Sequence, residues 1–191
     1  MMGDVRDKNY ESDVERWKEE GVIFLKEIGV RVDDFLLDFG CGEGHFTIPA
    51  ARLVGNKGRV YAVDNDEDAL EKLRQIIEKE NLKNISILKG ILNIKERSVD
   101  VALAYDIIHL VFSRQSLYKS IKRVLKPGGL LSVYPKHCKF DDPGWGLKNV
   151  DLKNITDEIE REGFYFERKF FKKILHDTHI NDGCILNFKK N

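Results

Sequence analysis

The chain is short of sulfur, of net charge and of long apolar runs. Its three cysteines, Cys41, Cys138 and Cys184, lie far apart with no CxxC pair, so neither a structural zinc site nor a dithiol redox motif has its usual spacing. Thirty-two basic residues balance thirty-two acidic ones, and no overall field draws the protein to nucleic acid or an anionic membrane. No apolar stretch reaches the length that spans a bilayer, and "MMGDVRDKNYESD" has no apolar signal core. Reduced thiols and a soluble, cytoplasmic protein are the expectation. At 191 residues and 42% hydrophobic content, the chain can pack one domain core and is too short for two.

Two basic clusters stand out, Lys119, Lys122, Arg123, Lys126 and Arg168, Lys169, Lys172, Lys173. Solvated faces of a helix and an edge strand explain them as well as a nucleic-acid patch does, so nucleic acid is a disfavoured partner. No internal repeat or low-complexity tract interrupts the sequence.

After residue 34, short β-branched runs alternate with amphipathic stretches. The runs predict strands at 35–39, 59–64, 85–89, 99–105 and 129–135. Helices are predicted in "NDEDALEKLRQIIEKENL", with acids in its first turn, and in "SRQSLYKSIKRVLKPGG", capped by Ser113 and stopped at Pro127. Such alternation implies a parallel sheet covered on both faces. Upstream, Ser12 and Glu15 have capping-box spacing ahead of Val14, Trp17, Val22, Phe24, Leu25 and Ile28. Gly21 weakens the middle of that pattern and predicts two shorter helices, with residues 1–30 either a lid over a ligand or a docked helix. Residues 154–191 read as a helix and two strands, an antiparallel pair joined by a polar loop around "HDTHINDG".

The most informative stretch is "FLLDFGCGEGHFTIPA", residues 35–50, where a strand runs into Gly40, Gly42 and Gly44 and then a helix. Such a turn lets a ligand lie against bare backbone. A phosphate-binding P-loop would need a Gly-Lys-Ser/Thr ending, and Gly44 is followed by His45 and Phe46. A dinucleotide fingerprint would place its third glycine at His45. Asp38, two residues before the first glycine, would repel a pyrophosphate and favour a ligand carrying an ammonium or sulfonium charge.

"LLDFGCGEG" resembles motif I of the class I S-adenosylmethionine-dependent methyltransferases. "VYAVD" is similar to the family's second strand, "SVDVALAYDIIHLV" to its fourth-strand motif, and "LYKSIKRVLKPGGLL" to the helix and turn before strand five. The likeness covers about residues 35–135 and is closest to the branch that methylates small molecules, quinone precursors included. It implies a Rossmann-like three-layer α/β sandwich, one domain with a seven-stranded, mostly parallel sheet and an antiparallel last strand. It also implies S-adenosylmethionine as cofactor. Asp38, Gly40, Cys41, Gly42 and Gly44 would form its cradle, and Asp64, with Asn65 beside it, would hold the ribose hydroxyls. Tyr105 would lie near the methionine part. These enzymes often have an acid for adenine after strand three, where this chain has Ile91; backbone groups near Ile91 and Leu92 would hold the base instead.

The resemblance places Asp106 and His109 toward the substrate. His109 could take a proton from an acceptor, or could simply pair with backbone at a helix start. In "YPKHCKFDDPGWG", His137 stands near Asp141 and Asp142, but Cys138 beside it is not a chelating spacing. The segment therefore reads as a substrate loop, and no metal is expected. The chain has no Asn/Asp-Pro-Pro-Tyr motif and no Pro-Cys nucleophile, features that enzymes modifying nucleic-acid bases carry. A small-molecule acceptor is the leading expectation. A methyltransferase for RNA or protein and a non-catalytic cofactor-binding module are the rivals, and nothing sets the oligomeric state.

Overall fold

The computed structural model describes residues 5–137 and 150–191, with side chains from Asp13 onward. Seven strands form one sheet: β1 (Phe35–Phe39), β2 (Arg59–Val63), β3 (Ile85–Leu88), β4 (Val99–Tyr105), β5 (Leu125–Tyr134), β6 (Phe164–His176) and β7 (His179–Lys190). Their spatial order is β3-β2-β1-β4-β5-β7-β6. β7 runs antiparallel to both β5 and β6, while the other pairings are parallel. This is the Rossmann-like sheet with a reversed last strand that the sequence predicts.

Successive residues on a strand point to opposite faces, so the unbroken apolar runs of β1 and β4 require cover on both sides. Leu36 packs with one cluster and Leu37 with the other, both fully buried. Helices α1 (Val5–Ile28), α2 (Thr47–Val54) and α3 (Glu67–Lys79) cover the first face. Helices α4 (Arg114–Val124) and α5 (Leu152–Arg161) cover the second. Side-chain caps start three of them where the chain supplies Asp66, Ser113 and Asp151.

Three expectations need correction. The N-terminal stretch is one helix of 24 residues, with Ser12 inside it rather than at its cap. Gly21 does not break this helix; a Cβ there would stand 2.9 Å from Pro49 Cγ and 3.0 Å from Trp17 Nε1, so the glycine lets α1 lie directly on α2. Trp17, Phe24, Leu25 and Ile28 are buried beneath it. Second, α4 ends at Val124 and β5 begins at Leu125, ahead of Pro127. Leu125 pairs with Val99 and Leu130 with Val101, so Lys-Pro-Gly-Gly is an irregularity within the strand edge and not a turn before it. Third, most of "HDTHINDG" is strand: His176 pairs with His179, leaving only Asp177 and Thr178 in the turn. The polar residues that mimic a loop decorate a hairpin reaching past β5, whose own pairing with β7 stops at Val133 and Leu186.

Asp38 sits in the middle of the sheet, 2% exposed, and accepts a 2.6 Å hydrogen bond from Thr47 Oγ1 at the start of α2. Burial, with a smaller contribution from the Asp64 charge, pushes its carboxyl up to about 6 from an ordinary 3.8, against the pull of the Thr47 bond. The neutral acid is thus the form the fold prefers. Its stabilising effect is complete below the unfolded value and disappears as pH rises through the folded one.

Two measurements follow from this packing. Gly21→Val is expected to lower stability by about 2 kcal/mol in urea unfolding, because overpacking against Pro49 outweighs the small gain in helix propensity; an unchanged midpoint would contradict the close packing. In Asp38→Asn, the stability lost by wild type between about pH 4 and pH 6, about 3 kcal/mol for that shift, should be absent. Parallel pH profiles for the two proteins would contradict the assignment.

Candidate functional site

At the end of β1 the backbone turns through Gly40, Gly42 and Gly44 with φ of 79°, 50° and 93°, all in the left-handed region. Its amides point into the protein. Gly40 N and Cys41 N donate to Val63 O at 2.8 and 3.1 Å, and Gly44 N donates to Cys41 O at 2.9 Å. Gly42 N donates to Asp64 Oδ2 at 2.8 Å. Asp64 Oδ1 accepts from Asn65 N at 2.7 Å and Asp66 N at 3.0 Å, so one carboxylate ties the end of β2 to the glycine turn. A P-loop aims its amides outward at phosphate; here those four are already used. A Cβ at Gly42 would meet nothing within 4 Å, so that position opens onto free space.

The space is a cavity of about 830 Å³ along the carboxyl edge of the sheet, where open α/β sheets bind ligands. One end is walled by Asp64, Asn65, Lys89 and Gly90, the middle by the glycine turn and Phe46, and the other end by Tyr105, Asp106, Tyr134 and His176. Rings pack edge to face along its floor, Phe46 on Tyr105 at 4.9 Å and Tyr105 on Tyr134 at 6.4 Å between centroids. Tyr105 is fixed from behind: its hydroxyl meets Ser132 Oγ at 2.7 Å, Ser132 Oγ meets Asn187 Oδ1, and Asn187 Nδ2 donates to Ile28 O. Trp17 Nε1 donates to His45 O at 3.1 Å, which secures the far side of the turn to α1.

The structure brings Gly40, Cys41, Gly42, Asp64, Asn65, Tyr105 and Asp106 to the cavity wall. Cys41 is nevertheless a poor nucleophile, because burial, with Asp38 and Asp64 nearby, raises its thiol well above the ordinary range. Other expected residues lie elsewhere. Asp38 is beneath the turn, and Gly44 faces Leu73, whose Cδ1 would clash with a Cβ. Ile91 turns into the core while Leu92 is 83% exposed on a 3₁₀ turn, because the chain closes over α4 there. Lys89 and Gly90 line the cavity in their place. His109 and His137 flank Asp106 without lining the cavity, and the His109 side chain is only 7% exposed. Cys138, Asp141, Asp142 and Trp145 lie outside the described residues.

Sequence reasoning missed His176. β6 runs parallel to β5, so its carboxyl end, and the turn that follows, must lie at the ligand edge; the reversed seventh strand was the signal. The hairpin tip supplies Leu175, His176, Asp177 and Thr178 to the cavity. It is held there by buried Ile174 and Leu175 and by Ile180 N donating to Asp13 Oδ2 at 3.1 Å. His176 Nε2 donates to Asp106 Oδ2 at 2.8 Å, and this bond raises its pKa above the ordinary histidine value.

The basic clusters are largely engaged. Arg123 donates to the carbonyls of Ile91 and Ile94, and Lys126 meets Asp100 at 2.7 Å. Arg168 donates to Glu27 O, Lys172 meets Glu27 at 2.7 Å, and Lys173 meets Asp182 at 2.8 Å. No helix among the described residues is long and apolar enough to cross a membrane.

A family model described as a methyltransferase domain matches residues 32–176. A probable cobalt-precorrin-6B C(15)-methyltransferase (decarboxylating) of Saccharolobus solfataricus is 43% identical over 75 residues, 38% of this chain and 38% of that protein. A demethylmenaquinone methyltransferase of Lactobacillus johnsonii is 31% identical over 121 residues, 61% of this chain and 48% of that protein. The aligned stretches thus span under half the length of either relative. In fold, the chain is similar to a SAM dependent methyltransferase from Aquifex aeolicus, with a TM-score of 0.72 and 22% identity over 92% of this chain and 98% of that one. The matched family segment runs from before the glycine turn to the hairpin tip and so contains almost the whole cavity wall; the chain belongs to the methyltransferase domain family.

Proposed function

We propose that the cavity binds S-adenosylmethionine and that the protein transfers its methyl group to a small organic acceptor. One observation carries this reading: the glycine turn is closed on itself by inward amides and by Asp64, and leaves bare backbone at Gly42 facing the cavity. That surface offers a poor anion nest and suits an uncharged nucleoside with a cationic tail. Asp64 has acceptor capacity beyond its three backbone bonds, and holds the ribose. Asn65, Lys89 and Gly90 wall the base, and Tyr105 and Phe46 flank the methionine side, where their ring faces attract a sulfonium.

The cofactor supplies an activated methyl on sulfur, so the protein's task is to align an acceptor lone pair and exclude water. Asp106 and His176, fixed by their mutual bond, orient the acceptor's polar atom. Leu110, Val111 and Phe112 line the outer wall and favour an acceptor with an apolar body. The volume is that of an ordinary small-ligand site, and the basic side chains that could track a nucleic-acid backbone are paired away from it. These features favour a small molecule over RNA.

Calorimetry with S-adenosylhomocysteine tests the assignment. Binding is expected for wild type, with a thermal shift that NAD does not reproduce. Asp64→Ala should weaken binding by about 2–4 kcal/mol, the worth of a charge-assisted pair of hydrogen bonds, and Asp64→Asn, which keeps an acceptor, by less. A shift with NAD alone, or full affinity in folded Asp64→Ala, would overturn it.

A further inference from the structure

Beside the acceptor end of the cavity, three histidines from separate elements converge on one carboxylate. Asp106 follows β4 and His109 lies in the next turn; His137 follows β5; His176 comes from the hairpin tip. Asp106 and His137 both stand at positive φ, 52° and 63°, just past their strands. His109 Nδ1 is 3.6 Å from Asp106 Oδ1, and His137 Nε2 is 3.8 Å from the same oxygen. The rings meet edge to face, His109 and His137 at 5.0 Å and His137 and His176 at 5.3 Å between centroids. Asp106 Oδ2 is taken by His176.

Both Asp106 Oδ1 and His109 Nδ1 are fully buried and lack a hydrogen-bond partner among the described residues. Native proteins rarely leave such groups unsatisfied without an ion, water or function to account for them. An oxygen and two imidazole nitrogens, slightly too far apart for hydrogen bonds to one another, have the spacing of atoms that share a third body. Around an ion at about 2.0–2.1 Å, tetrahedral ligand atoms stand about 3.3 Å apart. The observed separations close to that with shifts of a few tenths of an ångström.

We propose that Asp106 Oδ1, His109 Nδ1 and His137 Nε2 form a site for a divalent transition-metal ion of the zinc class, with His176 holding the other carboxylate oxygen. Imidazole with carboxylate selects zinc and its first-row neighbours over magnesium or calcium. A histidine bonded to the free oxygen of a ligating carboxylate is the supporting contact that fixes such ligands in orientation. Burial holds His109 below its ordinary pKa, so its ring is neutral and able to coordinate near neutral pH. The alternative grouping of Asp106, His176 and Asp177 is weaker, because His176 already bonds Asp106 and the Asp177 side chain is 77% exposed. Three protein ligands leave a further coordination position for water or a polar acceptor atom. The ion would also cross-link the segments after β4 and β5 that bound the acceptor end. The site stands on these side chains alone and does not depend on the methyl-transfer reading.

The test uses the full chain without a histidine tag, stripped of metal and titrated with Zn²⁺ and then Co²⁺. One ion per chain is expected, with a Co²⁺ visible spectrum of a site ligated by nitrogen and oxygen. His137→Gln, on a turn, and His109→Gln should each weaken Zn²⁺ binding by at least about 100-fold, and His176→Gln by about 10–100-fold. Folding is checked by circular dichroism, and His137→Gln decides alone should His109→Gln fail to fold. Absence of stoichiometric binding to wild type, or unchanged affinity in folded His137→Gln, would overturn the proposal.

Discussion

The hydrogen bond from Gly42 N to Asp64 Oδ2 joins the two strands on which the cavity rests. Without it the glycine turn would have a free amide and β2 a carboxylate bound only to its own following residues. With it the turn is closed from inside, and its outer surface is backbone with no side chain at the point of nearest approach. Asp38 and Thr47 hold the same turn from below, and Trp17 secures it through His45 from the side of α1. The ligand surface is therefore rigid before any ligand arrives, and less ordering is left to oppose binding.

The second structural device is the long β6–β7 hairpin. Its base belongs to the sheet, while its outer part leaves β5 behind and rests on α1. Because β6 parallels β5, the tip reaches the same edge as the glycine turn, and His176 meets Asp106 across 70 positions of sequence. The cavity is thus built from two ends of the chain: a cofactor half from the first two strands, and an acceptor half from β4, β5 and the hairpin. Specificity resides in the second half, where Leu110, Val111, Phe112, Asp106 and the hairpin tip present mixed apolar and polar atoms.

The core strands were readable because burial on both faces leaves a continuous apolar run bounded by polar residues, as at 35–39 and 99–105. Gly40, Gly42 and Asp64 were readable because a backbone turn with a close ligand admits few residue types. Packing was not. Gly21 looked like a helix break because its reason is Pro49, distant in sequence. Asp38 looked like a ligand residue because nothing local reveals that Thr47 covers it. "HDTHINDG" looked like a loop because a hairpin exposed on both sides has no apolar alternation to mark it. The histidines carried no chelating spacing, since they come from three elements and meet only when the sheet is ordered. Ile91 was aligned to a role that the closing 3₁₀ turn gives to its predecessors, Lys89 and Gly90.

The account rests on an acceptor small enough to enter beside the cofactor, and methyl transfer into a fractionated cell extract measures that directly. With S-adenosylmethionine carrying a labelled methyl group, label should accumulate in the low-molecular-mass, solvent-extractable fraction and depend on active protein. Label confined to the RNA or protein fractions, or no transfer to any fraction by protein that binds S-adenosylhomocysteine, would contradict it.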